Sequence, residues 1–199
     1  MKAKDILIAT ALILTLSSLL NGCALLPQEK ASEATQPPAP KINVEKLAEK
    51  ARAAQKSVNL AFKAEREEGQ VTVTINLNNP EGKPITSVQS WLSFDPNRLY
   101  GKEIKTDDSA FSLIAPYNNT FDNENGLMML GRANPDPLTD KTIKVAEVVF
   151  DVRGEGATMI DVYDYQDDLS GHASANSIIE GKPYNLLKKP NSPALIIEK

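Results

Sequence analysis

From Asn59 onward the sequence predicts an all-β fold, an antiparallel β-sandwich. Three observations lead to it. Apolar and polar residues alternate at period two, as Val71, Val73, Ile75 and Leu77 do in QVTVTINLNN, which is the pattern of a strand buried on one face. Turn residues punctuate the runs, beginning with Asn79-Pro80-Glu81-Gly82, so the strands are short and separated by tight connections. No long amphipathic helix lies between the runs, so no βαβ unit is available and the strands must pair antiparallel.

The chain before Asn59 has a different character. Lys2 and Lys4 precede an apolar run from Ile6 to Leu20, about 15 residues and too short for a spanning helix. It ends in Leu20-Asn21-Gly22-Cys23, the layout of a secretory signal with a cysteine directly after the small residue at the cut. This resembles the lipobox of bacterial lipoproteins, in which the cysteine becomes the first mature residue and carries lipid. An ordinary signal peptide, or a membrane anchor that happens to contain a cysteine, is the plainer alternative. It leaves Cys23, the sole cysteine, as an unexplained thiol in an exported protein. Residues 24–41 are rich in Ala, Pro, Gln and Glu, with Pro37, Pro38 and Pro40 closely spaced, a composition that stays extended and cannot bury a core. VEKLAEKARAAQKS, residues 44–57, is built of strong helix formers, with Val44, Leu47, Ala51 and Ala54 on one side, and predicts a short helix, docked or free. The expected organisation is a signal peptide over 1–22, a tether with a short helix over 23–57, and a sandwich domain over 58–199.

Within the domain the first strand contains Leu60 and Phe62, the second runs through Val71–Leu77, and the third is PITSVQSWLSF, ending at Asp95-Pro96-Asn97. Further strands are expected at Leu99–Lys105, Gly126–Ala133, Thr142–Val152, Thr158–Tyr163 and Ala194–Glu198.

Composition excludes several functions. The formal charge is −4 and no basic stripe is present, so a nucleic-acid partner is not expected. His172 is the only histidine, in the polar stretch SGHAS. No serine, base and orienting group announce a nucleophilic site, and His- or Cys-rich metal spacing is absent, so no enzyme is expected. Asn118-Asn119-Thr120 matches a glycosylation sequon, which carries no weight in a bacterial lipoprotein.

Four motifs in order point to a family. They are Val73 to Leu77, Phe94-Asp95-Pro96-Asn97-Arg98-Leu99, the strand led by Asn125-Gly126-Leu127, and Val148-Val149-Phe150-Asp151-Val152. Over roughly residues 58–198 the chain resembles a cohesin domain. The resemblance implies a jelly-roll sandwich of about nine strands that holds a dockerin module against one face. It also implies that no cofactor is required, calcium entering mainly through the dockerin-type partner. Carbohydrate-binding modules share the architecture, and fold does not fix function.

The register of the third strand places a candidate site. With Phe94 inward under the turn, Leu92, Ser90 and Val88 share the inner face, and Ser87, Gln89, Trp91 and Ser93 the outer. In cohesins that outer face meets dockerin, and a displayed tryptophan suits a binding anchor. A bulge that turns Trp91 inward, or the helix covering it, is the structural alternative. On GLMMLGRANP, Met128 and Leu130 inward would put Met129, Gly131 and Ala133 outward beside Trp91. Arg132 and Asn134 are expected at the strand end, where they can hydrogen-bond an incoming chain, although a solvated charge is the simpler reading of Arg132. Asp161, Asp164, Asp167 and Asp168 form the densest acidic cluster. They are a candidate calcium site, weighed against a solvated acidic loop, and Tyr163 and Tyr165 among them offer aromatic contacts. The expected function is a membrane-anchored, extracytoplasmic protein-binding module in the cell envelope. A carbohydrate-binding domain and a structural envelope subunit are the alternatives.

Overall fold

Among the described residues twelve strands make two antiparallel sheets that stack face to face. In chain order they are β1 (Asn59–Glu67), β2 (Gln70–Asn78), β3 (Ile85–Ser90), β4 (Leu92–Phe94), β5 (Leu99–Lys105), β6 (Leu113–Asp122), β7 (Leu127–Leu138), β8 (Thr142–Val152), β9 (Thr158–Val162), β10 (Ala173–Ile179), β11 (Lys182–Asn185) and β12 (Leu195–Ile197), preceded by helix α1 (Val44–Ala53). This computed structural model describes residues 43–198. The expected signal peptide, the lipidation site Cys23 and the tether as far as residue 42 lie outside the described residues. Among the described residues no helix is long and apolar enough to cross a membrane.

One sheet has the order β1-β2-β8-β5. The other has the order β11-β10-β3-β7-β4-β9-β12, with β6 paired to β7. The period-two pattern dictates the packing. Val71, Val73, Ile75 and Leu77 of β2 are fully buried, as are Val145, Val148 and Phe150 of the neighbouring β8. From the other sheet Val88, Leu92, Met128 and Leu130 close the core, each such side chain contributing about 1.5–3 kcal/mol on leaving water. Phe150 meets Phe94 and Phe121 edge to face, at centroid distances of 5.1 and 5.5 Å.

The sandwich class is as expected, with more strands than nine because β6, β10 and β11 carry weak sequence signals. The inward residues of β10 include Ala173, Ala175 and Ser177, all fully buried but too small to register as a hydrophobic run. Pro116 and an irregular register interrupt β6, and β11 is a short edge strand containing Pro183.

Helix α1 is docked. The Asn43 side chain accepts from the Lys46 N–H at 3.1 Å and caps its start. Lys46 and Lys50 pair with Glu180 in the turn between β10 and β11. At the other end the buried Lys83 side chain donates to the carbonyls of Arg52 and Gln55, placing a cation at the negative end of the helix. The covering of Trp91 comes instead from the segment between β9 and β10.

Candidate partner-binding face

The outer face of the larger sheet is built by strict alternation. Val88, Ser90, Leu92 and Phe94 are buried, while Ser87, Gln89, Trp91 and Ser93 are half-buried on the opposite side. Met128 and Leu130 point inward and are fully buried. Met129 is half-buried on the outer side, and the β3–β7 and β4–β7 registers carried inward set it opposite Trp91.

Trp91 occupies the one-residue break between β3 and β4. Its N–H donates to the His172 carbonyl at 3.0 Å and its carbonyl accepts from the Tyr163 N–H at 2.8 Å. Thus β10 pairs on one side of Trp91 and β9 on the other, and the connecting loop leaves the sheet beside the indole. The His172 ring stacks on the indole at 3.9 Å between centroids, and Tyr163 lies at 6.3 Å. The indole Nε1 is buried without a hydrogen-bond partner. Trp91 therefore lies on the outer side of the sheet, but under a cover. His172 is read from sequence only as a polar-loop residue. Its pairing with Trp91 depends on β10, a strand without an apolar signature.

The edge strand β6 forms a hump over the same face. Ile114 pairs with Arg132 and Asn119 with Leu130, so residues 115–118 stand opposite Gly131 alone, a large bulge. A Cβ on Gly131 would lie 2.9 Å from the Ala115 Cβ and 3.0 Å from the Asn118 Cβ. Only glycine lets the hump lie this close. Tyr117 at its tip is 91% exposed. Between hump and sheet runs a cleft of about 270 Å³, bordered by Ser87, Gln89, Leu113, Asn118, Ala133 and Asn176. Asn176 donates to the hydroxyls of Ser87 and Ser174, both at 3.2 Å, which holds the cleft floor.

Two expectations for this face are corrected. Arg132 lies inside β7, which continues to Leu138, and is only 2% exposed. It faces the core with Val88, its partner in register, continuing the inward series of Met128 and Leu130. Its Nη1 donates to the Gly131 carbonyl at 2.9 Å and its Nη2 to Asn119 Oδ1 at 2.5 Å, so it braces the base of the hump. Burial pushes its pKa down to about 10. It is not a solvated charge, and it reaches the cleft only as part of its lining. Asn134 is likewise engaged within the chain. Its Oδ1 accepts from the Ser112 N–H at 3.1 Å and the Ser112 hydroxyl at 2.6 Å, and its Nδ2 donates to the Asp136 carbonyl at 2.8 Å. Arg132→Ala should lower stability by about 2–4 kcal/mol, through lost packing and two stranded acceptors. Urea denaturation checks this, and an unchanged midpoint would contradict it.

The acidic cluster does not gather. Asp161 accepts from the Ser192 hydroxyl, Asp164 from Gln166 at 3.0 Å, and Asp168 from the Ser170 N–H and hydroxyl at 2.8 and 2.6 Å. Asp167 accepts from Tyr165 at 3.0 Å and Lys56 at 3.3 Å. Among the described residues no three His, Cys, Asp or Glu side chains are placed to hold a metal ion, and of the two readings weighed for the cluster the arrangement is that of an acidic loop, braced through separate bonds.

Those bonds set a pH dependence. The Gln166 amide and then His172 hold the Asp164 carboxyl below its ordinary range, Tyr165 and then Lys56 do so for Asp167, and Ser170 for Asp168. A depressed folded-state pKa gives stability that is present above the unfolded value, about 3.9 for Asp, and lost as pH falls through the folded value. Thermal midpoints should therefore hold down to about pH 4 and fall below it. Asp167→Asn should flatten part of that fall.

A two-sheet jelly roll with one open sheet face is the fold that the four ordered motifs lead one to expect. The family model of the cohesin domain matches residues 58–185, more than half of the chain, and the protein belongs to the cohesin family. Cohesin modules are non-catalytic binding domains. Similar solved structures include the seventh ScaB type I cohesin from Pseudobacteroides cellulosolvens, with TM-score 0.48 and 16% identity over 67% of this chain and 86% of that one. A cohesin module of a Clostridium perfringens family 33 glycoside hydrolase has TM-score 0.49 and 11% identity over 67% and 92%. The third ScaC cohesin of Acetivibrio cellulolyticus, solved in complex with the ScaB dockerin, has TM-score 0.46 and 19% identity over 66% and 92%. No curated protein matches the sequence.

Proposed function

We propose that this protein is a lipid-anchored cohesin module that holds a dockerin-like partner on the cell envelope. The observation that carries the reading is the open outer face of β10, β3, β7 and β6, whose 270 Å³ cleft is walled mostly by uncharged side chains such as Gln89, Asn118 and Asn176, with Arg132 the one charged residue along it. A surface of this kind accepts a protein segment with small polar and apolar side chains, and burial at its centre supplies the affinity. The contacts are Ser87, Gln89, Trp91, Ser93 and Met129, with Tyr117 on the rim. Calcium enters with the partner. A glycan would need a flat, free aromatic platform, whereas one face of the Trp91 indole is occupied by His172.

In the same reading Cys23 carries the lipid, residues 24–41 space the module from the membrane, and 58–199 form the docking domain. Cys23→Ala should move the protein from the membrane fraction to the soluble one. Isothermal titration against a panel of calcium-loaded dockerin modules tests the partner class. The expected result is one or more with micromolar or tighter affinity, lost when calcium is chelated. A panel with no binder would contradict the reading.

A further inference from the structure

The backbone of His172 is pinned on both sides, its N–H donating to the Asp164 carbonyl at 2.9 Å and its carbonyl accepting from the Trp91 N–H at 3.0 Å, so the part of the cover free to move is the imidazole ring, held by one ionisable contact. His172 Nδ1 lies 2.6 Å from Asp164 Oδ2, and Asp164 is turned toward it by a backbone at φ 48, a left-handed conformation that non-glycine residues adopt at a cost. The imidazole lies on the indole at 3.9 Å between centroids with the planes 29° apart. In this closed arrangement the indole Nε1 is buried without a partner, a donor left unsatisfied. The titratable groups facing His172 are Asp164 and Tyr163, both from the start of the β9–β10 loop. Trp91, from the sheet, carries no charge.

We propose that His172 is a specificity-determining residue of the docking face, one that closes over Trp91 when its ring is charged and yields the indole when it is neutral. This rests on the reading that a partner docks on this face. With a proton on the imidazole, the Asp164 contact becomes an ion pair and the cation lies over the indole face, two attractions that the neutral ring lacks. Acid therefore favours the closed cover, and a partner that reaches the indole binds more tightly as pH rises.

Trp91 is the only tryptophan, so collisional quenching of its fluorescence by acrylamide reads the cover directly. The wild-type quenching constant should rise about twofold or more between about pH 5.5 and about pH 7.5. His172→Gln should be quenched strongly and equally at both. Asp164→Asn, which keeps a residue tolerant of positive φ, should show a reduced pH response. A wild-type constant that does not change with pH, or a pH response that survives in His172→Gln, would overturn the proposal. Acrylamide stands in for no partner, so this result is independent of whether any dockerin binds.

Discussion

Replacing Phe150 with alanine should lower the stability of the sandwich by about 3–5 kcal/mol and its thermal midpoint by roughly 10–20 °C. Phe150 belongs to β8 in the smaller sheet, while Phe94 and Phe121, which it meets edge to face, belong to β4 and β6 in the larger one. The third side of the triangle, Phe94 to Phe121, is 6.4 Å with the rings at 82°. The three rings thus join the sheets where β4 turns into Asp95-Pro96. Phe150 is fully buried, and the rigid sheets on both sides cannot collapse to fill its space. Small domains have about 5–15 kcal/mol in total, so this one truncation removes a large share. Urea denaturation monitored by circular dichroism measures it, and a loss below about 1 kcal/mol would show that the rings do not join the sheets.

Gly126→Ala should cost more than about 2 kcal/mol although it adds only a methyl group. Gly126 has φ +65, and a Cβ there would lie 2.1 Å from the Phe94 carbonyl oxygen and 2.8 Å from the Pro96 Cδ. Backbone cannot retreat as a side chain can, because the Gly126 carbonyl accepts from the Phe94 N–H at 2.8 Å and fixes the two segments together. The turn before it is also fixed, with Asp122 accepting from the N–H groups of Glu124 and Asn125 at 3.2 and 3.0 Å. The loss should appear as a lower thermal midpoint, and an unchanged midpoint would refute the close approach.

The orientation of Trp91 was legible because a local signal fixes its register. Asp95 accepts from the Asn97 N–H through Oδ1 at 2.9 Å, and its carbonyl accepts from the Leu99 N–H at 2.9 Å. That closes a turn directly after Phe94, and counting back by two then settles every face. The cover on Trp91 was not legible, since His172 reaches the indole through pairing with a strand 82 residues further on. Arg132 carried a usable signal that its charge obscured. Continuing by two from Met128 and Leu130 turns it inward, and the apolar setting of the strand outweighs the preference of a guanidinium for water. The hump at 115–118 had no signal at all, because a bulge is decided by pairing with β7 and by the room above Gly131. The Asp161–Asp168 cluster left calcium and a solvated loop both open, because spacing along a loop does not say where carboxylates point, and each here has a separate donor.

The central claim is that a partner docks on the outer face of the larger sheet, and a pair of charge insertions on opposite faces tests it most directly. Gln89→Arg places a long cation in the cleft. Thr74→Arg places the same group on the outer face of the smaller sheet, where Thr74 pairs with Lys63 and Glu147. Titration of both variants with a calcium-loaded dockerin that binds the wild type should show at least about a tenfold loss for Gln89→Arg and wild-type affinity for Thr74→Arg. Full affinity in Gln89→Arg, with loss in Thr74→Arg, would put the docking surface on the other sheet.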